Sequence, residues 1–270
     1  MIKMIVCDMD GTLLNSNKII SDENFKAIKY AMEKDVLVML ATGRIYTSAK
    51  LFAKKLNLHP SIIACNGALI QDYLTQEKYY EKPIKKNLYK RLFELLKENN
   101  LYYYFYTDKH FYTSELKYSA LYYMNNNENL KEDERIDIKL IDDIERIIEA
   151  NLNILKFIII DDDIKKLKTI KQKLSEIDNI EISQSWVNNI EIMSKSVSKG
   201  NALKLISKRL EIMPENIMAI GDHMNDISMI KTVGYGIAMK NGEKELKDLA
   251  FDITDSNDDN GVASAIYKYI

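Results

Sequence analysis

The stretch Met4-Ile5-Val6-Cys7-Asp8-Met9-Asp10-Gly11-Thr12 joins an unbroken apolar run to two carboxylates and a glycine. A near-continuous apolar run suits a parallel strand covered by helices on both faces, because such a strand has no side that faces solvent. In open α/β sheets, ligands bind beside the carboxyl ends of the strands. The stretch therefore predicts a central parallel strand that ends at a ligand-binding edge.

Asp8 and Asp10 are two residues apart and can face one site. One carboxylate can attack phosphorus while the other transfers a proton, and both can share a divalent cation that screens their repulsion. Gly11 allows the chain to turn sharply as it leaves the strand. The alternative is an ordinary solvated Asp-Gly turn, and this motif alone does not decide between the two.

Outward from this strand, apolar runs alternate with helical patterns, which is the rhythm of βαβ units. The first eighty residues contain helical patterns at 22–33 and 45–56 and apolar runs at 36–41 and 62–65. The rhythm returns at 199–210, 217–220, 226–231 and 235–238. We therefore predict an α/β core with a Rossmann-like, doubly wound parallel sheet, formed by residues 1–82 and 189–270.

The sequence pattern changes between these two stretches, and we predict that residues 83–188 form an inserted α/β cap domain. The segment has a helical pattern at 85–99, a tyrosine-rich strand at 101–107, a polar loop-like stretch at 125–137 and a strand at 154–160. A helical pattern at 164–177 and candidate strands at 180–185 and 190–193 lie near its end. Alternate side chains of the tyrosine run should cover opposite faces of a sheet, so ordinary packing is the favoured interpretation.

Three further motifs stand at the ends of predicted strands or the start of a helix. Thr42-Gly43-Arg44 follows an apolar run, and a hydroxyl with turn N–H groups suits phosphate oxygens, although the same residues can simply cap a helix. Lys199 opens a helix, where its ammonium can offset charge on a transferring phosphoryl group or merely be solvated.

The last motif, Gly221-Asp222-His223-Met224-Asn225-Asp226, follows the apolar run at 217–220. Asp222 would face Asp8 and Asp10 across the carboxyl edge of the sheet and supply the oxygen ligands that Mg²⁺ prefers. An acidic turn is the alternative when the motif is taken alone. Four motifs at converging ends make a common site the better hypothesis.

The composition of the chain argues against several classes of function. The 38 basic and 40 acidic residues give a net charge of −2 and are spread along the chain, so no basic footprint for nucleic acid is present. No secretory signal or membrane span is expected at the N-terminus, and we expect a cytoplasmic protein without membrane attachment. Cys7 and Cys65 are too few for a disulfide framework and are expected to be buried thiols.

Together, Asp-x-Asp-Gly-Thr, Thr-Gly-Arg, Lys-Gly-Asn-Ala and Gly-Asp-x-x-Asn-Asp resemble the haloacid dehalogenase superfamily, and most closely its Cof-like phosphatases. The resemblance covers nearly the whole chain, including an α/β cap between the second and third motifs. It implies that Asp8 is the nucleophile, Asp10 the general acid and base, Thr42 a ligand of the phosphoryl oxygen and Lys199 the group that stabilises charge.

The resemblance also implies a Mg²⁺ cofactor, held by the carboxylates of Asp8 and Asp222 and the backbone carbonyl of Asp10. Asn225 and Asp226 would support the phosphoryl group, Lys199 or metal-bound water. The substrate side would be formed by residues of two turns and the fourth motif: Gly43, Arg44, Asn66, Gly67 and Asn225. For Arg44 and the Asn66-Gly67 turn, a surface charge and a tight turn are equally good interpretations.

The implied function is a Mg²⁺-dependent phosphatase that hydrolyses small phosphomonoesters, such as sugar phosphates or phosphorylated cofactors, through a phosphoaspartyl intermediate on Asp8. The expected partner is a small phosphorylated metabolite, and the expected assembly is a monomer or weak homodimer. Two alternatives stay open: a phosphotransferase similar to phosphomannomutases, and a non-enzymatic receiver whose aspartate is phosphorylated. Turnover with water as sole acceptor separates hydrolysis from the phosphotransferase, and a short-lived acyl phosphate separates it from the receiver.

Overall fold

Fourteen strands form three sheets in the computed structural model, which describes residues 1–270. The strands are β1 (Met4–Cys7), β2 (Leu37–Leu40), β3 (Ser61–Ala64), β4 (Leu69–Asp72), β5 (Lys78–Glu81), β6 (Tyr102–Tyr106), β7 (His110–Thr113), β8 (Asp137–Leu140), β9 (Lys156–Ile160), β10 (Ile180–Ser183), β11 (Asn189–Ser194), β12 (Ile217–Gly221), β13 (Tyr235–Met239) and β14 (Asp252–Thr254). The helices are α1 (Asp22–Glu33), α2 (Tyr46–Leu56), α3 (Lys86–Glu98), α4 (Tyr118–Asn127), α5 (Ile144–Glu149), α6 (Ile164–Ser175), α7 (Lys199–Arg209), α8 (Ile227–Ile230), α9 (Lys244–Leu249) and α10 (Gly261–Tyr269). No helix combines the length and the apolar character needed to cross a membrane.

The core sheet has five parallel strands in the order β14-β13-β12-β1-β2. Every residue of β1 is buried, because helices cover both faces. Ile5 and Cys7 pack into the cluster that contains side chains of α1, α2 and α10, whereas Met4 and Val6 pack against α7 and α8 on the other face. The predicted doubly wound parallel sheet is confirmed.

The predicted strand at 62–65 is the exception to the parallel pattern. Its counterpart β3 pairs antiparallel with β4, which pairs antiparallel with β5, and the three strands form a small separate sheet. A single parallel bridge between Ala41 and Ile63 links β3 to the core. The chain reverses within Cys65–Gly67, where all three residues have positive φ, and so short a connection can join only antiparallel strands.

The inserted cap is built on a six-stranded sheet in the order β10-β11-β9-β6-β7-β8. Helices α3 and α6 pack on the face of this sheet that points away from the core, where they bury an apolar cluster of their own. Strand β11 is paired on both sides, with β9 and β10, so it is an interior strand of the cap sheet. The predicted limit at residue 188 leaves this strand in the core, and we propose instead a boundary after Ser194.

The tyrosine run forms β6, and its side chains alternate between the two faces, as period-two geometry requires. Tyr103 and Phe105 pack beneath the outer helices, and Tyr104 and Tyr106 face the core. The inner cluster holds 43 buried residues drawn from both domains. Cap and core therefore share one apolar interior at their junction.

Candidate active site

Asp8 follows β1 directly and lies at the floor of the cleft between core and cap. Its backbone N–H donates to the Ile220 carbonyl at 3.0 Å, which ties it to the neighbouring strand β12. Lys199, at the start of α7, is completely buried and donates from Nζ to Asp8 Oδ1 at 2.5 Å and to Asp226 Oδ1 at 2.6 Å. Residues separated by 191 positions in the sequence are thus in direct contact, as the motifs predict.

Asp222 and Asp226 leave the end of β12 in the turn before α8. Asp226 Oδ2 accepts hydrogen bonds from the backbone N–H groups of Asp222 at 3.0 Å and His223 at 3.1 Å. With Lys199 on its other oxygen, Asp226 has both oxygens engaged by the protein, so it orients the turn and the lysine. His223 caps this turn.

Thr12 donates from Oγ1 to Asp222 Oδ1 at 2.9 Å and is fully buried. The first motif contains this threonine, but the sequence interpretation assigns it no role. Gly11, between Asp10 and Thr12, has φ +76°, and an added Cβ would lie only 2.3 Å from Asp222 Oδ2. The first and fourth motifs therefore meet so closely that only glycine fits at position 11.

Three carboxylates, Asp8, Asp222 and Asp226, have ligand atoms within 4.8 Å of one another, and all three are buried. Burial raises the pKa of Asp8, against the lowering effect of Lys199. Burial, together with the negative charges of Asp8 and Asp226, also raises the pKa of Asp222. One lysine does not balance three acids, so the site favours an additional cation.

Asp10 points away from Asp8, towards two cations. Arg44 donates from Nε to Asp10 Oδ2 at 2.6 Å and from Nη2 to Oδ1 at 2.7 Å, and Lys18 Nζ donates to Oδ1 at 2.8 Å. Although burial opposes ionisation, these contacts hold the pKa of Asp10 well below its usual range. In this arrangement Asp10 is a carboxylate, the form in which it can accept a proton. Lys18 is a site residue that no sequence motif indicates.

The second predicted phosphate motif forms the turn between β2 and α2. Thr42 Oγ1 accepts from the Arg44 backbone N–H at 3.1 Å, which leaves its hydroxyl hydrogen free to donate into the cleft. Asn225 Nδ2 donates to Asn66 Oδ1 at 3.2 Å, so these two predicted residues lie together. Gly67 packs against α7, where an added Cβ would be 2.4 Å from the Ser198 carbonyl oxygen. Of the predicted substrate-binding residues, Asn66 and Gly67 do not line the main cavity.

The cleft above Asp8 is a cavity of about 720 Å³. Its core side contains Asp8, Asp10, Thr42, Gly43, Arg44, Asp222 and Asn225. Its cap side includes six aromatic residues, Tyr104, Tyr106, Tyr118, Tyr122, Tyr123 and Trp186, together with polar and aliphatic side chains. Trp186 is 58% exposed at the mouth of the cavity, and Lys18 Nζ lies 5.4 Å from its ring centroid.

Lys156 and Glu191 are a further part of the cleft that the sequence interpretation missed. Lys156 Nζ donates to Glu191 Oε1 at 2.7 Å, and both side chains are buried. A signal was present, because Glu191 interrupts the apolar strand at 190–193 and Lys156 begins the apolar strand β9. A charged residue inside a buried strand requires a partner.

Comparison with known proteins identifies relatives that match nearly the whole length of the chain. The sequence profile of haloacid dehalogenase-like hydrolases matches residues 5–266. Two Bacillus subtilis proteins named 5-amino-6-(5-phospho-D-ribitylamino)uracil phosphatase, YwtE and YcsE, are similar to the chain. YwtE is 34% identical over 97% of the chain and 96% of its own length, and YcsE is 33% identical over 100% and 96%.

A solved structure of a haloacid dehalogenase-like hydrolase from B. subtilis superposes with a TM-score of 0.88 at 26% identity and covers 100% of both chains. The similarity therefore includes the cap and is not confined to the motifs. The predicted family membership and enzyme class are confirmed. The chain belongs to the haloacid dehalogenase-like hydrolases and is a phosphatase of that family.

Proposed function

We propose that this phosphatase hydrolyses small phosphomonoesters with Mg²⁺ and that Asp8 carries the phosphoryl group between substrate and water. The observation that supports this most strongly is the position of Asp8: a buried carboxylate bound to Lys199, beside Asp222, on the floor of a cavity large enough for a metabolite. Nucleophile, charge-stabilising cation and metal-binding acids thus converge on one point.

The donor set fits a hard divalent cation. Asp8 and Asp222 each use only Oδ1 in hydrogen bonds with the protein, so each keeps Oδ2 for a ligand, whereas both oxygens of Asp226 are engaged. The carboxylates of Asp8 and Asp222 and the backbone carbonyl of Asp10 would hold Mg²⁺, which prefers oxygen ligands. When bound, the ion supplies positive charge for the phosphoryl oxygens.

In the proposed reaction, an oxygen of Asp8 forms a bond to phosphorus while the bond from phosphorus to the leaving oxygen breaks, and Asp10 gives a proton to that oxygen. Water then attacks the phosphorus, Asp10 takes up a proton, and the bond between Asp8 and phosphorus breaks. Lys199 and the Thr42 hydroxyl offset charge on the phosphoryl oxygens. The contacts of Asp10 with Arg44 and Lys18 suit the second step and must loosen for the first.

The substrate class follows from the two ends of the cavity. A phosphoryl group on Asp8 leaves the rest of the molecule facing the tyrosines of β6 and α4, which offer flat apolar surfaces to a planar ring. The substrate for which the two B. subtilis relatives are named has a phosphate at one end of a ribityl chain and a uracil ring at the other. We propose a phosphorylated cofactor or cofactor precursor of this shape.

The test measures inorganic phosphate released by the purified chain with Mg²⁺. Substrates are 5-amino-6-(5-phospho-D-ribitylamino)uracil and glucose 6-phosphate, and the matched control is Asp8→Asn. We expect release from both, with higher kcat/KM for the ring-bearing compound, and none from the control. Transfer of phosphate to a sugar hydroxyl without release would favour the phosphotransferase alternative. Wild-type rates in Asp8→Asn would contradict the role of Asp8.

All side chains placed at this site come from one chain. We propose that the monomer is the active form. Sedimentation of the active enzyme at assay concentration checks this, and activity found only in a larger assembly would contradict it.

A further inference from the structure

The buried pair Lys156–Glu191 lies where the cap meets the core. Lys156 is 2% exposed, on β9, and Glu191 is 3% exposed, on β11. Both residues belong to the cap sheet. Within the cap, Glu191 also accepts hydrogen bonds from Ser185 at 2.7 Å and Ser183 at 3.3 Å.

Each member of the pair also makes one hydrogen bond to the core. Lys156 Nζ donates to the Gly43 carbonyl at 2.9 Å, and Glu191 Oε2 accepts from Asn66 Nδ2 at 2.6 Å. Gly43 is part of the turn that places Thr42 and Arg44. Asn66 in turn accepts from Asn225. The cap therefore contacts the two core turns that flank the reaction site.

Gly43 has a steric role in this arrangement. Its φ is not in the left-handed region, so backbone conformation does not require glycine there. An added Cβ would lie 2.8 Å from Asn66 Oδ1 and 2.9 Å from Lys156 Nζ. The missing side chain at position 43 makes room for the lysine that comes from the cap.

A gain in folding stability does not by itself explain why two charged side chains are buried here. Two charges lose their hydration on burial, and replacing a buried ion pair with apolar residues of similar volume is often neutral or stabilising. What apolar residues cannot supply is a pair of directional hydrogen bonds to Gly43 and Asn66. The directional bonds fix how the cap lies on the core.

We propose that Lys156 and Glu191 are positioning residues, which hold the cap's aromatic wall in register with Asp8 by bonding to Gly43 and Asn66. The effect on catalysis rests on the proposed function, whereas the effect on how the cap lies on the core does not. A substrate that reaches from Asp8 to the tyrosines depends on this register, because small misplacements in an active site reduce rates strongly.

The first test reverses the donor and the acceptor of the hydrogen bond between positions 66 and 191. In Glu191→Gln the amide can present its NH₂ group to the NH₂ of Asn66, and in Asn66→Asp two carboxylates face each other. The double variant Asn66→Asp/Glu191→Gln restores one donor and one acceptor and keeps the total charge. In that variant the amide oxygen introduced at position 191 still accepts from Lys156 Nζ, and the direction of the bond between positions 66 and 191 is reversed. The longer bond from Ser183, at 3.3 Å, is the other contact of that atom that changes.

The first readout needs no substrate. Trp186, the one tryptophan of the chain, lies at the mouth of the cavity on the cap and faces Lys18 of the core. We expect acrylamide to quench its fluorescence more strongly in each single variant and to a near wild-type extent in the double variant. Ser185→Ala removes a bond to Glu191 within the cap and controls for local loosening of the tryptophan loop.

The second readout is the ratio of kcat/KM for p-nitrophenyl phosphate to that for acetyl phosphate, which is too short to reach the cap. The single variants should lower this ratio, by up to about a hundredfold, and the double variant should restore it. A merely structural role would lower both rates together. The charge-free variant Lys156→Met/Glu191→Met should unfold at no lower urea concentration than wild type and still show the lowered ratio.

Unchanged quenching and an unchanged ratio in the single variants, or no recovery in the double variant, would overturn the positioning role. An inactive wild-type enzyme would instead contradict the proposed function, and the quenching series would still test the contact. If quenching returned to the wild-type extent in the double variant while the ratio of kcat/KM values stayed low, the contact would hold the cap without positioning the substrate. This result would also overturn the inference.

Discussion

Asp8 and Asp10 are two residues apart in the chain, but their surroundings differ. Asp8 is bound to Lys199 at the floor of the cavity, and Asp10 is held by Arg44 and Lys18 at its side. We propose that the first is the nucleophile and that the second gives and accepts the proton. Substitution by asparagine should therefore have different consequences at the two positions.

Asp8→Asn removes the attacking oxygen, so activity should fall to background and no phosphorylated protein should form. Asp10→Asn keeps the nucleophile and should lower the rate by about a hundredfold to ten-thousandfold. With an aryl phosphate, whose leaving group needs little protonation, Asp10→Asn should accumulate phosphorylated Asp8, detectable by mass spectrometry after acid quench. A trapped phosphate on another residue would refute the assignment.

Thr12 acts on the proposed metal site through Asp222. Thr12→Val has nearly the same shape but lacks the hydroxyl, so Asp222 loses the bond that fixes its rotamer. Loss of such a partner typically costs about 10- to 100-fold in metal affinity or activity. We expect the Mg²⁺ concentration for half-maximal activity to rise by a factor of this order, while Thr12→Ser stays close to wild type. An unchanged Mg²⁺ requirement in Thr12→Val would contradict this role.

At the scale of one element, helix α6 of the cap begins at a single capping residue. The carboxylate of Asp163 accepts from the backbone N–H groups of Lys165 at 2.9 Å and Lys166 at 3.1 Å and so caps the helix. Asp163→Ala leaves these donors without a partner. It should lower the free energy of unfolding by about 0.5–2 kcal/mol, measured by urea denaturation.

The matched control is Asp163→Asn, because asparagine keeps a side-chain oxygen for the same donors. Helix α6 packs on the outer face of the cap sheet, away from the cavity. Both variants should therefore retain wild-type kcat/KM at temperatures where they are folded. A large loss of kcat/KM in a folded Asp163→Ala variant would show that the outer helix affects the site.

At the scale of the whole molecule, the proposed metal site exists only when three distant segments meet. Asp8 follows β1, Asp222 follows β12, and Lys199 begins α7 after the cap has been completed. Activity should disappear with a chelator and return with Mg²⁺. Ca²⁺ should restore little, because its larger and looser coordination sphere would misplace Asp8 relative to phosphorus. Full turnover in metal-free buffer, or equal rates with both ions, would contradict the proposed site.

The sequence by itself determined the local elements and the chemistry of the core. The amphipathic segment at 22–33 becomes α1 with the predicted limits, because Ser21 caps it, accepting from the Asn24 N–H at 3.2 Å. The apolar run before Asp8 specifies a strand buried on both faces. Because β1 and β12 are parallel neighbours, their carboxyl ends lie at one edge of the sheet, so motifs far apart in the chain could be assigned to one site.

Tertiary structure alone decided how the cap completes that site. Strand pairing placed β11 inside the cap sheet, and the reversal at Cys65–Gly67 paired β3 with β4 in a small antiparallel sheet. The bond between Lys156 and Gly43 joins residues 113 positions apart, and no local pattern specifies such a pairing. The chemistry of a motif residue can be inferred from its own side chain. The position of the cap depends on how two folded surfaces fit, and that fit is a property of the assembled chain.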